Sequence, residues 1–296
     1  MNQSLELSAS IPEKYKVSVN ALYRFLKEIN SKELAQHQLD FSDVNKWKFE
    51  TISSWSHIAI SEKSLDILWC YSFAYFNYYR VICFEVKPSG QEISLKNSEE
   101  LNEEKIALDW ATKNLTEINK DVDTFPEELR RPVEYETLNP ESPEYLFETA
   151  LAFYYLHEVG HIQPKNELFQ HIIDEEIYCD NFAIENLLNN CNDAELKWRK
   201  RGIALGLTLM NVIGMHTGFY DGKEHPFAYD RITSVLDKKI EKTDDELWGW
   251  VVALFALHMT ENKIKQPITE FEDFRETVEE FKKILEKHKE KYLTKN

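Results

Sequence analysis

The sequence predicts a mainly α-helical protein of the α+β class with one small antiparallel β-sheet. Three observations carry that expectation. Apolar residues recur at helical spacing along most of the chain, and several of these runs open on cap or proline signals. A single stretch, Phe49 to Ser61, is β-rich, alternates imperfectly, and offers the best strand pair. No internal repeat or low-complexity tract points to a solenoid or a fibre.

In chain order, Pro12 to Asn30 is amphipathic, with apolar positions Val17, Leu22, Phe25 and Leu26. After the strand pair come helices over Ser64 to Phe84 and Asn102 to Ile118. The first of these carries Trp69, Tyr71, Phe73, Tyr75, Phe76, Tyr78 and Tyr79, which are either core or a substrate or partner surface. Asp121 to Ser142 contains Pro126, Pro132 and Pro140 and reads as a loop. It divides the chain into an N-terminal helical lobe with the β element, residues 1–125, and a second helical lobe, residues 126–296. Ser142-Pro143-Glu144 then starts a helix with a capping hydroxyl, proline at the first turn, and an acid at the positive dipole end. Its continuation, Tyr145 to Leu156, is apolar almost all round and therefore buried.

Ile172 to Leu188 follows as a helix with apolar positions Ile173, Ile177, Phe182 and Ile184. Further helices are expected over Asp193 to Thr217 and Pro226 to Ile240. Another opens on the capping box Thr243-Asp244-Asp245-Glu246. The last, Thr269 to Tyr292, is charged on most sides and reads as a surface helix.

Composition bounds the function. A chain of 296 residues, 43% hydrophobic, can bury one large core or two joined lobes. A net charge of −17 with no compact basic patch excludes nucleic acid as a partner. Cys70, Cys83, Cys179 and Cys191 show no metal-ligand spacing and suit a reducing, cytoplasmic setting. The start, MNQSLELSAS, has no basic segment followed by an apolar core, so no secretory signal is expected. Gly202 to Tyr220 is apolar but interrupted by Thr208, Asn211, His216 and Thr217, so no transmembrane segment is expected; peripheral membrane contact stays open.

The most informative residues are His157-Glu158-Val159-Gly160-His161. Histidines four apart on a helix are about 40° apart around its axis, so both imidazoles can hold one zinc ion. Glu158 sits on the shoulder of that face, placed to act as general base on a metal-bound water. A third histidine ligand reached by a glycine turn is ruled out, because those positions hold Glu167 and Pro164. The following helix instead offers Glu176 and Asp180, four apart. One can supply a carboxylate ligand, the other an acceptor for a ligand imidazole. Glu175 competes with Glu176 for the ligand position. Downstream, Pro226 can start a helix, placing His225 at its boundary and Arg231 nearly two turns along. His225 can serve as an oxyanion donor or merely as a cap.

Taken together, His157-Glu158-x-x-His161, Glu176-x-x-x-Asp180 and His225-Pro226-x4-Arg231-Ile232 resemble the gluzincin pattern. The chain is similar, more closely, to the Lit-type phage-exclusion peptidases of bacteria, roughly over residues 50 to 260. The likeness includes Leu68 to Phe84, Trp110 to Leu115 and Gly202-Ile203-Ala204. It implies a zincin-like fold, in which 126–296 is the zinc-peptidase lobe, and one zinc per chain held by His157, His161 and Glu176. It implies Glu158 as general base, Asp180 orienting a ligand histidine, and His225 with Arg231 assisting the transition state. The implied partners are a protein substrate, a translation elongation factor in the known family case, and a peptide activator of phage origin. Two other readings remain. One is a metal-dependent regulatory protein that binds without cleaving; the other is a peripheral membrane module built on the aromatic helices.

Overall fold

The computed structural model describes residues 13–28, 38–42, 47–52, 57–81, 101–116, 124–130, 139–163, 169, 171–189, 191–217, 228–239, 245–266 and 273–293. The chain divides into two compact units, residues 1–203 and 204–296. The boundary expected near residue 125 falls inside the first unit.

The first unit begins with helix α1 (Glu13–Glu28), which buries Val19, Leu22, Phe25 and Leu26. Strands β1 (Gln38–Ser42), β2 (Phe49–Ile52) and β3 (His57–Ser61) form a sheet in the order β1-β3-β2. The pair expected within Phe49 to Ser61 is β2 with β3, antiparallel, Phe49 opposite Ile60 and Ile52 opposite His57. The addition of β1 makes the sheet mixed, not purely antiparallel, because β1 runs parallel to β3 with Gln38 opposite His57. The chain reverses between β1 and β2 and again between β2 and β3, so β3 regains the direction of β1 and sits between them. Central β3 is buried from Ile58 to Ser61, and β2 is an edge.

β3 runs straight into α2 (Glu62–Arg80), whose first turn is capped by Ser61 Oγ accepting from the Ser64 amide at 3.1 Å. Ser64 Oγ donates to the Lys48 carbonyl at 2.9 Å, and the Lys48 amide donates back to that hydroxyl at 2.8 Å. The residue preceding β2 is thereby pinned to the start of α2. Trp69, Tyr71, Phe73, Tyr75, Phe76 and Tyr78 are buried, so the aromatic crowd is core and not an exposed surface. Their polar tips are paired where they need to be: Trp69 Nε1 donates to the Arg130 carbonyl at 2.7 Å. Helix α3 (Asn102–Thr116) packs along α2.

Helix α4 (Pro143–Ile162) starts as the sequence indicates, with Ser142 Oγ accepting from the Tyr145 amide at 3.1 Å. It is buried on almost every face, with Trp69 edge-on to Phe147 at 5.8 Å between ring centres. Helix α5 (Ile172–Leu188) lies against it. Helix α6 (Asp193–Thr217) begins in the first unit, where buried Arg199 donates to the Leu187 and Asn189 carbonyls at 3.0 and 3.1 Å. That guanidinium satisfies orphan acceptors at the C-terminal end of α5 and fixes where the helix stops.

In the second unit, α7 (Ala228–Lys239), α8 (Asp245–Glu261) and α9 (Phe274–Leu293) follow. As expected of a surface helix, most described residues of α9 keep contact with solvent, and Val278, Phe281 and Leu285 form its buried stripe. Apolar residues spaced by three and four suffice to dock a helix whose other residues are mostly charged. Arg275 Nη2 and Nε grip the Asp237 carboxylate at 2.6 and 2.9 Å, while the guanidinium lies 4.8 Å from the Trp248 ring centre. Among the described residues, no helix is long and apolar enough to cross a membrane.

Candidate metal centre

The periodicity of α5 misdirects at first. Its buried face is Glu176, Cys179, Asp180, Ala183, Ile184 and Leu187, whereas Ile177 is exposed and Ile173 and Phe182 are only partly covered. The buried face therefore carries two carboxylates and two small residues besides Ile184 and Leu187. Small residues are needed there because the helices nearly touch. A Cβ built on Gly160 would stand 3.0 Å from both Cα and Sγ of Cys179. The glycine of the His-Glu-Val-Gly-His run thus permits the approach that brings α5 carboxylates to α4 imidazoles.

Where the two helices meet, the Glu176 carboxylate bridges both histidines. Its Oε2 is 3.4 Å from His157 Nε2, and its Oε1 is 3.4 Å from His161 Nε2. The opposite ring nitrogens also face carboxylates: His157 Nδ1 lies 3.0 Å from Asp180 Oδ1, and His161 Nδ1 lies 3.1 Å from Glu175 Oε1. With the proton on each Nδ1, both imidazoles donate to a carboxylate and turn both Nε2 lone pairs toward Glu176. His157 and Glu176 are each 4% exposed and Asp180 is 1% exposed, while His161 keeps more contact with solvent.

One ligand atom from each of His157, His161 and Glu176 falls within a 4.8 Å group, close enough to hold one metal ion. The spacing can be tested against coordination geometry. Two donors about 2.0 to 2.1 Å from a tetrahedral ion are about 3.3 Å apart. The two Nε2-to-oxygen distances of 3.4 Å, each to a different oxygen of Glu176, are close to that separation. Of the two competing glutamates, it is Glu176 that lies on the Nε2 side; Glu175 occupies the Nδ1 side of His161, a role that helical periodicity does not assign to it.

Glu158 retains partial exposure, yet the desolvation of its carboxyl group raises its pKa, an effect opposed by neighbouring His157 and by a hydroxyl bond. The hydroxyl is Thr51 Oγ1 on β2, 2.7 Å from Glu158 Oε2 and 2.9 Å from the Glu158 carbonyl oxygen. For His161, burial lowers the pKa but bonds to Glu176 and Glu175 outweigh it, and the net shift is upward.

Two predicted residues remain. Arg231 is on α7 in the second unit, where it is buried. His225 and Pro226 lie outside the described residues.

A family model for Peptidase U49 matches residues 58–253 of the 296. The chain belongs to the Peptidase U49 family. The match runs from β3 to α8 and contains both helices of the centre; β1 and β2 precede it. No curated protein and no solved structure matches the chain. Membership in U49 makes the protein a peptidase, and the paired imidazoles with a bridging carboxylate are its candidate metal site.

Proposed function

We propose that this U49 peptidase is a zinc-dependent endopeptidase that hydrolyses a peptide bond in a protein substrate, with Glu158 as general base. The observation that carries the reading is the single Glu176 carboxylate lying 3.4 Å from Nε2 of both His157 and His161, with further carboxylates on both Nδ1 atoms. Two imidazoles and one carboxylate with a fourth position open is the donor set of a hydrolytic zinc site. Zinc bound there supplies a Lewis acid that polarises the scissile carbonyl and makes water nucleophilic near neutral pH.

The protein's own groups do the rest. Glu158 accepts a proton from the attacking water and returns it to the leaving amine, a task favoured by a carboxyl whose pKa is raised by burial. Asp180 and Glu175 hold the two imidazoles in orientation. His225 donates to the developing oxyanion and Arg231 assists, as the gluzincin pattern implies. The Lit-type resemblance supports a cytoplasmic host protein, a translation elongation factor, as the substrate, and a peptide activator in phage defence.

The test is incubation of the purified protein with bacterial lysate, with and without a chelator. One new cleaved band, lost with chelator and restored by zinc, is expected. Glu158→Gln should keep the metal and lose cleavage by orders of magnitude. Cleavage that ignores the chelator, or a Glu158→Gln protein that cleaves normally, overturns the mechanism.

A further inference from the structure

We infer that Thr51 is a positioning residue for Glu158, so that the edge strand of the sheet sets the direction of the general base. This rests on the reading of Glu158 as the base. The bond joins β2 to α4 across 107 residues of sequence, and β2 lies outside the stretch matched by the family model.

The geometry is specific. Thr51 Oγ1 stands 2.7 Å from Glu158 Oε2 and 2.9 Å from the carbonyl oxygen of the same residue. A hydroxyl has one proton to donate and two lone pairs. Toward an ionised carboxylate it donates to Oε2, a charge-assisted bond stronger than a neutral one. Tying Oε2 also stops rotation of the carboxylate about its last bond and leaves Oε1 as the oxygen that receives the proton.

The strand is built to hold that hydroxyl still. Lys48, just before β2, is bonded in both directions to Ser64 at the start of α2. Trp47 and Phe49 lie with their ring centres 5.7 and 5.5 Å from that of Tyr154, one turn before His157 on α4. Thr51 itself pairs with Ile58 of the buried central strand. The hydroxyl is thus anchored from the helix, the sheet and the aromatic cluster, which is what a fixed partner for a catalytic carboxylate requires.

The experiment compares Thr51→Val, which keeps the β-branched shape, with Thr51→Ser, which keeps the hydroxyl. Two readouts are used. In the metal-free protein, urea unfolding of Thr51→Val, Glu158→Ala and the double variant should be non-additive, with a coupling factor of about 3 to 10 in the unfolding constant. In the zinc-loaded protein, turnover of the lysate substrate should fall roughly 10- to 100-fold for Thr51→Val with KM and zinc content unchanged. Thr51→Ser should restore most of it. Additive unfolding effects, a Thr51→Val protein with normal turnover, or a loss confined to KM would each overturn the inference. If Glu158→Gln is inactive while Thr51→Val is normal, only this inference fails; if Glu158→Gln is also normal, the base assignment fails with it.

Discussion

Replacing Gly160 by alanine should damage stability and metal binding together. The added Cβ would stand 3.0 Å from Cys179 Cα and Sγ and 3.1 Å from its Cβ, where ordinary van der Waals separation begins at 3.4 Å. Relief requires α4 and α5 to part by about 0.4 Å, because the opposing Cα is backbone and cannot swing aside. Overpacking of this kind costs about 1 to 3 kcal/mol, or roughly 2 to 12 °C in Tm for a unit of this size. The same opening displaces Glu176 from the imidazoles by more than the ~0.2 Å tolerance of a metal-ligand distance. Zinc affinity should therefore fall about tenfold or more, read by competition with a chromophoric chelator, while differential scanning calorimetry follows Tm. Cys179→Ala in the same chain should not rescue either loss, since it removes Sγ and leaves the backbone of residue 179 where it was. A Gly160→Ala protein with unchanged Tm and unchanged zinc affinity would refute the close approach of the two helices and, with it, the shared-carboxylate geometry.

Further expectations concern neighbouring groups. Glu176→Ala and His157→Ala should each lose the metal by elemental analysis, whereas Glu175→Ala and Asp180→Asn should keep it with about 10- to 100-fold weaker affinity; metal loss in Glu175→Ala alone would reverse the two glutamates. His225→Ala should keep zinc and Tm while turnover drops about 10²- to 10³-fold, and unchanged turnover would reduce His225 to a cap. Glu104 is 6% exposed, accepts from Asn77 Nδ2 through Oε1 at 2.8 Å, and buries Oε2 with no hydrogen-bond partner among the described residues. Burial raises its pKa above the ordinary 4.5, so the folded state binds its proton more tightly than the unfolded state. The cost of its charge is absent below 4.5, grows as pH rises, and is complete above the folded value. Glu104→Gln keeps the Asn77 bond and should add on the order of 1 kcal/mol at pH 7, shrinking toward zero in acid; a gain independent of pH in urea titrations would contradict this.

Several features are legible in the sequence because they rest on local rules. Ser142-Pro143 marks the start of α4, and Phe49 to Ser61 supplies the β2–β3 pair, each readable within a dozen residues. Glu176 is preferred over Glu175 because its partner one turn on, Asp180, can orient an imidazole. What stays hidden depends on partners elsewhere. Strand β1 alternates Leu39 and Phe41 with Gln38, Asp40 and Ser42, but so short a run is a weak signal, and its parallel pairing with β3 is long-range. The buried face of α5 is only partly legible, because Ile184 is buried as its apolar spacing indicates, whereas Ile177 is exposed and Glu176, Cys179, Asp180 and Ala183 are buried. The bond from Glu175 to His161 is set by the angle between helices, which periodicity does not encode.

The centre joins interactions of two very different ranges along the chain. His161 meets Glu175 fourteen residues away and His157 meets Asp180 twenty-three residues away, so the ligand half closes within one helical hairpin. The base half closes over 107 residues, through a sheet formed by a different part of the chain. Interactions between near neighbours in sequence form early and cheaply, and distant ones wait on loop closure. A nascent or partly opened molecule would accordingly present a complete ligand hairpin before its glutamate had a strand to lean on. Displacing the sheet by a modest amount would leave such a hairpin loaded and quiet, an uncoupling of holding from cutting that the topology alone makes available.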